Sequence, residues 1–187
     1  MARRRREKEH GIFRELLGWI VYILIIIGLS YLIITYVGQR TMVSGQSMEP
    51  TLSNGDNLIV DKISYRFRDP QRYDIIVFPY KYEEDTYYIK RIIGMPGETV
   101  QVIGGYVYIN GELLESDIYG AEPMESGQLA DQPITLGADE YFVLGDNRNH
   151  SSDSRDPSVG VLKRSDLLGR AWVRIYPFDK IGFIRHE

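Results

Sequence analysis

Two hydrophobic textures follow one another along the chain. From Leu16 to Val37 the residues read LLGWIVYILIIIGLSYLIITYV, without a single charge. A helix that crosses the hydrocarbon of a bilayer needs about 20 such residues. The run is apolar all round rather than along one stripe, which separates it from a core helix packed on one face. Trp19 and Tyr36 stand near its two ends, where interfacial aromatics collect. The pattern predicts a transmembrane helix over residues 16–37. A cleaved signal peptide is the alternative; it has a shorter apolar region, about 7–15 residues, ending in a small-x-small site. Gly38, Gln39 and Arg40 fit such a site poorly.

Beyond Arg40 the pattern changes to short runs of Val, Ile, Tyr and Phe separated by turn residues. NLIVDKIS, DIIVFPY, TYYIKRIIG, TVQVIGGYVYING, EYFVLGD and RAWVRIYP each predict a strand or hairpin, while MPGE and INGE are turn sequences. LKRSDLLG predicts one short helical turn. Residues 116–133, SDIYGAEPMESGQLADQP, are polar and punctuated by Gly and Pro; they read as a loop or insertion without chemistry of its own. The predicted architecture is mainly β. A basic stretch (1–15) precedes the membrane helix (16–37), and an antiparallel β-sheet domain follows over 38–187. There is no internal repeat, and no GxGxxG, P-loop or HExxH motif.

Charge gives the helix a direction. Residues 1–40 hold seven Lys or Arg and three Glu, a net of +4; the remainder holds 15 basic and 23 acidic residues, a net of −8. Arg-rich sequence before an apolar span places the N-terminus in the cytoplasm and the β domain outside. An acidic main domain argues against a nucleic-acid partner, which would call for a basic face. There is no Cys, so disulfides, thiolate catalysis and Cys-based metal sites are excluded.

The candidate nucleophiles lie just past the apolar run, in SGQSMEP (Ser44–Pro50). A serine hydroxyl needs a base, most often histidine. The chain has three. His10 precedes the membrane segment, His186 is next to the last residue, where chains fray, and His150 sits in the polar run GDNRNHSSDSR. Lysine is the other option, provided that burial lowers its ordinary pKa of about 10.4. Lys62, Lys81, Lys163 and Lys180 all have charged neighbours in sequence. Lys90 lies in TYYIKRIIG, where the strand period puts Tyr88, Lys90 and Ile92 on one face and Ile89, Arg91 and Ile93 on the other. Arg91 cannot deprotonate. The pattern leaves two readings of Lys90 open: a buried base, or an edge-strand charge that blocks aggregation.

Three blocks, SGQSMEPTL, YIKRIIGMPGE and GDNRNHSSDSR, in this order behind one helix, resemble bacterial type I signal peptidases, and the compact Gram-positive members most of all. The resemblance implies a Ser–Lys dyad with Ser47 as nucleophile and Lys90 as general base. Met48 and Pro50 would shape the turn that presents Ser47. Arg91, Gly94, Pro96 and Gly97 would form a strand end and turn that fix the base. Ser151 would orient the Lys90 amine, Asp153 and Arg155 would form a supporting ion pair, and Gly145, Asp146, Asn147 and Arg148 would build the surrounding loop. Many members carry a Ser whose hydroxyl completes the oxyanion hole; Gly45 stands at that position here, leaving backbone donors. Glu98 stands for the more usual Asp, and His150 for a usual Asn.

The resemblance further implies shallow apolar pockets for small side chains and removal of signal peptides at the outer face of the cytoplasmic membrane. The partners it implies are signal-peptide-bearing preproteins and the lipid bilayer, with the secretion translocon as a candidate. No cofactor is implied. A calcium loop in GDNRNHSSDSR lacks the central Gly and terminal Glu of an EF-hand, so no metal is expected. Three rivals remain: a non-catalytic β binding domain, a cytosolic self-cleaving Ser–Lys regulator, and a Ser–His hydrolase using His150.

Overall fold

The computed structural model describes residues 2–32, 38–84, 86–120 and 122–186, with side chains of the first helix from Arg14 onward. It divides into two units, Met1–Gly38 and Gln39–Glu187.

The first unit is a helix, α1 (Ala2–Leu32). Its stretch Arg14–Leu32 is long and apolar enough to cross a membrane, and none of it is buried against protein. The helix reaches further toward the N-terminus than the apolar pattern predicts. ARRRREKEH is rich in Arg, Glu and Lys, all good helix formers, so nothing in it stops the helix. The last five residues of the predicted span, 33–37, lie outside the described residues.

The second unit is mainly β, and every strand pair with a described register is antiparallel. One sheet contains β1 (Gly38–Met42), β2 (Asn57–Asp61), β3 (Ile75–Pro79), β4 (Tyr87–Gly94), β9 (Glu140–Leu144), β10 (Leu162–Lys163) and β11 (Gly169–Tyr176), in the order β1-β2-β11-β3-β4-β9-β10, with β12 (Gly182–Phe183) paired to β11. A smaller sheet has the order β7-β6-β5-β8, from β5 (Thr99–Ile103), β6 (Tyr106–Ile109), β7 (Glu112–Leu113) and β8 (Ile134–Thr135). All six predicted runs are strands, and TVQVIGGYVYING is the β5–β6 hairpin. Gly104 and Gly105 make its turn with φ of 57° and 86°. Two successive positive φ values are what a tight hairpin turn with the twist of its strands requires.

The middle of the large sheet is buried on both faces. Ile75–Phe78 and Ile89–Gly94 are buried without interruption, which is why their sequences read as continuous apolar runs instead of alternating ones. Gly94 is where the two sheets close on each other. A Cβ there would lie 2.5 Å from Val100 Cγ2 and 2.9 Å from both Leu136 Cδ1 and Phe142 Cβ. In the turn that follows, Glu98 accepts the Met95 N–H at 2.8 Å and pairs with Arg72 at 2.5 Å. Glu98 thus holds this turn shut behind the strand of Lys90.

Two segments are tied in more closely than their sequences suggest. Residues 116–133 contain no strand among the described residues, in keeping with a loop or insertion, yet Met124 and Ala130 belong to the core under the smaller sheet. His186 is not frayed. Its ring is largely buried, and Nδ1 accepts the Ile75 N–H at 3.0 Å.

Candidate active site

The site starts at the end of β1. Val43 N–H donates to Asp56 O at 2.8 Å and Gly55 N–H to Val43 O at 2.9 Å, closing the arms of a loop that carries Ser44–Ser53. Gly45 takes φ +94°, a left-handed conformation that side chains disfavour, and its N–H is held by Asn54 Oδ1 at 3.0 Å. Met48 and Leu52 plug the loop into the core beneath β2, and Leu52 N–H bonds to Met48 O. Pro50 is exposed on the rim. Between these anchors Ser47 is left half-buried and aimed at β4.

Lys90 meets it there. The side chain is buried, with 3% of the residue exposed. Nζ lies 2.9 Å from Ser47 Oγ and 3.0 Å from Ile89 O, and 5.0 Å from the centre of the Tyr88 ring. Strand β4 runs between β3 and β9, so Lys90 is not an edge charge. No ion pair reaches it among the described residues. Burial therefore dominates, against a weaker pull from Asp153 and Asp146, and lowers the Lys90 pKa from near 10.5 to about 8.

Those two carboxylates are occupied by arginines. Arg91, on the opposite face of β4, forks onto Asp146 through Nε–Oδ1 at 2.8 Å and Nη2–Oδ2 at 2.7 Å, with both side chains fully buried. Arg155 forks onto Asp153 at 2.8 and 2.9 Å. Paired in this way, the acids give little of their field to Lys90. Asp153 also accepts the Gly145 N–H at 3.1 Å. Arg148 bonds Gly145 O at 3.0 Å and forks onto Asp117 of segment 116–133, at 2.7 Å for each arm. Asn147 fastens this loop to the Ser47 turn: its N–H donates to Ser47 O at 3.1 Å and its Nδ2 to Gln46 O at 3.2 Å. Gly145 lies so close that a Cβ would collide with Ser47 O and Ser151 Oγ.

Two residues are placed otherwise than the resemblance implies or the rival reading needs. Ser151 Oγ is buried beside Gly145 with no hydrogen-bond partner, and does not reach the Lys90 amine. His150 is exposed on the rim of the cleft and makes no bond to Ser47. Sequence reasoning missed Asp117 and Tyr119, which hold Arg148 and Arg91 from the polar segment.

A cleft of about 260 Å³ opens over the pair. The end of β1 with Met42 and Val43 forms one wall, and Tyr87, Tyr88 and Ile89 of β4 form the other. Strand backbone on both sides suits an extended peptide. A half-buried hydroxyl against a desolvated amine, on an antiparallel β domain, has the makings of a serine peptidase that uses lysine where others use histidine.

The sequence matches the family described as signal peptidase, peptidase S26, over residues 16–176. Probable signal peptidase I-2 of Synechocystis sp. is 43% identical over 160 residues, covering 82% of this chain and 70% of that protein. Signal peptidase I P of Bacillus subtilis subsp. natto is 34% identical over 181 residues, covering 94% and 97%. The crystal structure of a signal peptidase I from Enterococcus faecalis V583 is 34% identical, covers 55% of this chain and 97% of that one, and superposes with a TM-score of 0.42. The chain belongs to the signal peptidase family, peptidase S26.

Proposed function

We propose that this chain is a membrane-anchored endopeptidase that removes signal peptides from exported preproteins, with Ser47 as nucleophile and Lys90 as general base. The observation that carries the reading is the 2.9 Å contact between Ser47 Oγ and an Nζ that is buried and free of any carboxylate partner among the described residues. With a pKa of about 8, roughly a tenth of the amine is neutral at pH 7, enough to act as a base near neutrality.

Neutral Nζ takes the Ser47 proton as Oγ attacks the carbonyl carbon of the scissile bond. The oxygen of the tetrahedral intermediate becomes an oxyanion. The Ser47 N–H has no partner among the described residues and is free to donate to it. The Lys90 ammonium returns its proton to the departing amine. Water, deprotonated by the same Nζ, then cleaves the ester on Ser47. Gly45 supplies no hydroxyl to the oxyanion; a donor of that kind is worth about 10²–10³ in rate.

The charge asymmetry about the apolar helix supports a single span with the N-terminus in the cytoplasm. Ser47 lies ten residues past Val37, and a signal peptide is cut just outside its own apolar segment, which fits that substrate class. The secretion translocon, which would deliver the substrate there, is the candidate neighbour. The cleft lining mixes apolar side chains (Met42, Val43, Ile89) with polar ones (Ser44, Gln46, Ser152), and the preference for small side chains next to the cut is what the family resemblance implies.

The test is cleavage of a preprotein by the full chain in detergent. Wild type releases the mature protein, while Ser47→Ala and Lys90→Ala are folded and at least about 10³-fold slower. Cleavage that survives Ser47→Ala contradicts the reading.

A further inference from the structure

The segment after β12 does something that neither the dyad nor its two ion pairs account for. Ile184 anchors it, buried in the core cluster under β2, with its N–H on Trp172 O at 2.9 Å. Two residues later, His186 turns inward. Its Nδ1 accepts the N–H of Ile75, the first residue of β3, at 3.0 Å, and Ile75 is the cross-strand partner of Arg91. The carbonyl of His186 accepts the Tyr119 hydroxyl at 3.3 Å. The Tyr119 ring in turn lies 3.6 Å from the Arg91 guanidinium carbon and 5.1 Å from the ring of Tyr73, whose own carbonyl accepts from Arg91. Arg91 forks onto Asp146, which sits between Gly145 and Asn147, the two residues in contact with the Ser47 carbonyl.

We infer that His186 and Tyr119 are positioning residues for the nucleophile loop, acting through Arg91 and Asp146 to fix where the Ser47 turn rests against Lys90. The inference rests on the Ser47–Lys90 reading above. Its physical content is that the guanidinium is held by four groups: by Asp146, by the Tyr73 carbonyl, by the Thr51 hydroxyl of the nucleophile loop at 3.4 Å, and by an aromatic face whose hydroxyl is tied to the His186 carbonyl. Loosening the last of these leaves the buried ion pair intact but lets it shift. A nucleophile displaced by even a fraction of an ångström loses rate while the cleft still binds. The acceptor role requires a neutral ring, and the surroundings keep it neutral. Burial and Arg170 push the pKa down to about 4, with Arg91 acting in the same sense and Asp74, 3.8 Å away, in the opposite one.

The experiment is steady-state cleavage of a preprotein by the full chain in detergent. His186→Ala lowers kcat roughly 10-fold with KM within about twofold of wild type. His186→Asn recovers most of that loss, because an amide oxygen can take the Ile75 N–H in place of Nδ1. Tyr119→Phe keeps the ring over Arg91, cannot disturb folding through bulk, and lowers kcat about threefold. Ser47→Ala is run alongside and must be inactive; activity there overturns the dyad itself. With Ser47→Ala inactive, wild-type kcat in both His186→Ala and Tyr119→Phe overturns the positioning role. A His186→Ala loss that Asn does not rescue overturns it too, since packing alone would then be at work.

Discussion

Replacing Lys90 by Met removes the amine and keeps the length and most of the bulk of the side chain, so the variant should be dead but more stable at neutral pH. The folded pKa of about 8 stands against about 10.5 for an unburied lysine. At about 1.4 kcal/mol per unit, burying the charged form costs the fold about 3 kcal/mol. The sign follows from proton counting. Between pH 8 and 10.5 the unfolded chain holds the proton and the folded chain does not, so wild-type stability rises with pH across that window. Below pH 8 both states are protonated and the full cost is present; above 10.5 both are neutral and it is gone. Met never incurs it. Losing the Ser47 and Ile89 contacts takes back about 1–2 kcal/mol. Lys90→Met is thus about 1–2 kcal/mol more stable than wild type at pH 7 and less stable by a similar amount near pH 11. Denaturant unfolding of both proteins in detergent, followed by fluorescence at the two pH values, measures the gap. Other titrating groups cancel in the difference because both proteins carry them. A gap that is the same at pH 7 and pH 11 refutes the claim that Lys90 is a depressed, desolvated amine.

Asp146→Asn leaves the Arg91 guanidinium buried without its counter-charge. It should lose about 3–5 kcal/mol of stability by denaturant midpoint, and most of its cleavage activity. Gly145→Ala pushes a methyl group into Ser47 O and Ser151 Oγ. It should cost about 1–3 kcal/mol and abolish cleavage in the preprotein assay even where circular dichroism shows a folded domain; normal turnover would mean the loop moves freely, contrary to its contacts.

The apolar helix and the longer strands were legible because each run is long enough for its pattern to be read. β7, β8, β10 and β12 are two residues each, too short to carry any periodicity. Lys90 was legible only as one of two readings. Period-2 reasoning sorts faces by which is apolar, and β4 is buried on both, with a charged residue on each: Lys90 toward Ser47 and Arg91 toward Asp146. Burial of an arginine beside a lysine depends on partners more than 40 residues away, which local sequence does not display. Asp117 and Tyr119 are hidden in the same way, with Arg148 lying 31 positions from Asp117. Their segment is polar and Gly/Pro-punctuated, yet its Asp117 carboxylate is spent on Arg148 and its Tyr119 ring on Arg91. His186 was misjudged for a related reason: its acceptor role is set by Ile75, 111 positions earlier.

Ser47 activation rests on a lysine whose pKa is depressed by burial. The measurement that addresses it most directly is the pH dependence of kcat/KM for preprotein cleavage, from about pH 6 to 10, for wild type and His150→Ala. With Lys90 as base, kcat/KM rises nearly tenfold per pH unit and levels off through about pH 8, the Lys90 pKa, and the two proteins are superimposable. A profile that levels off near 6.5, the ordinary range of histidine, and disappears in His150→Ala would contradict it.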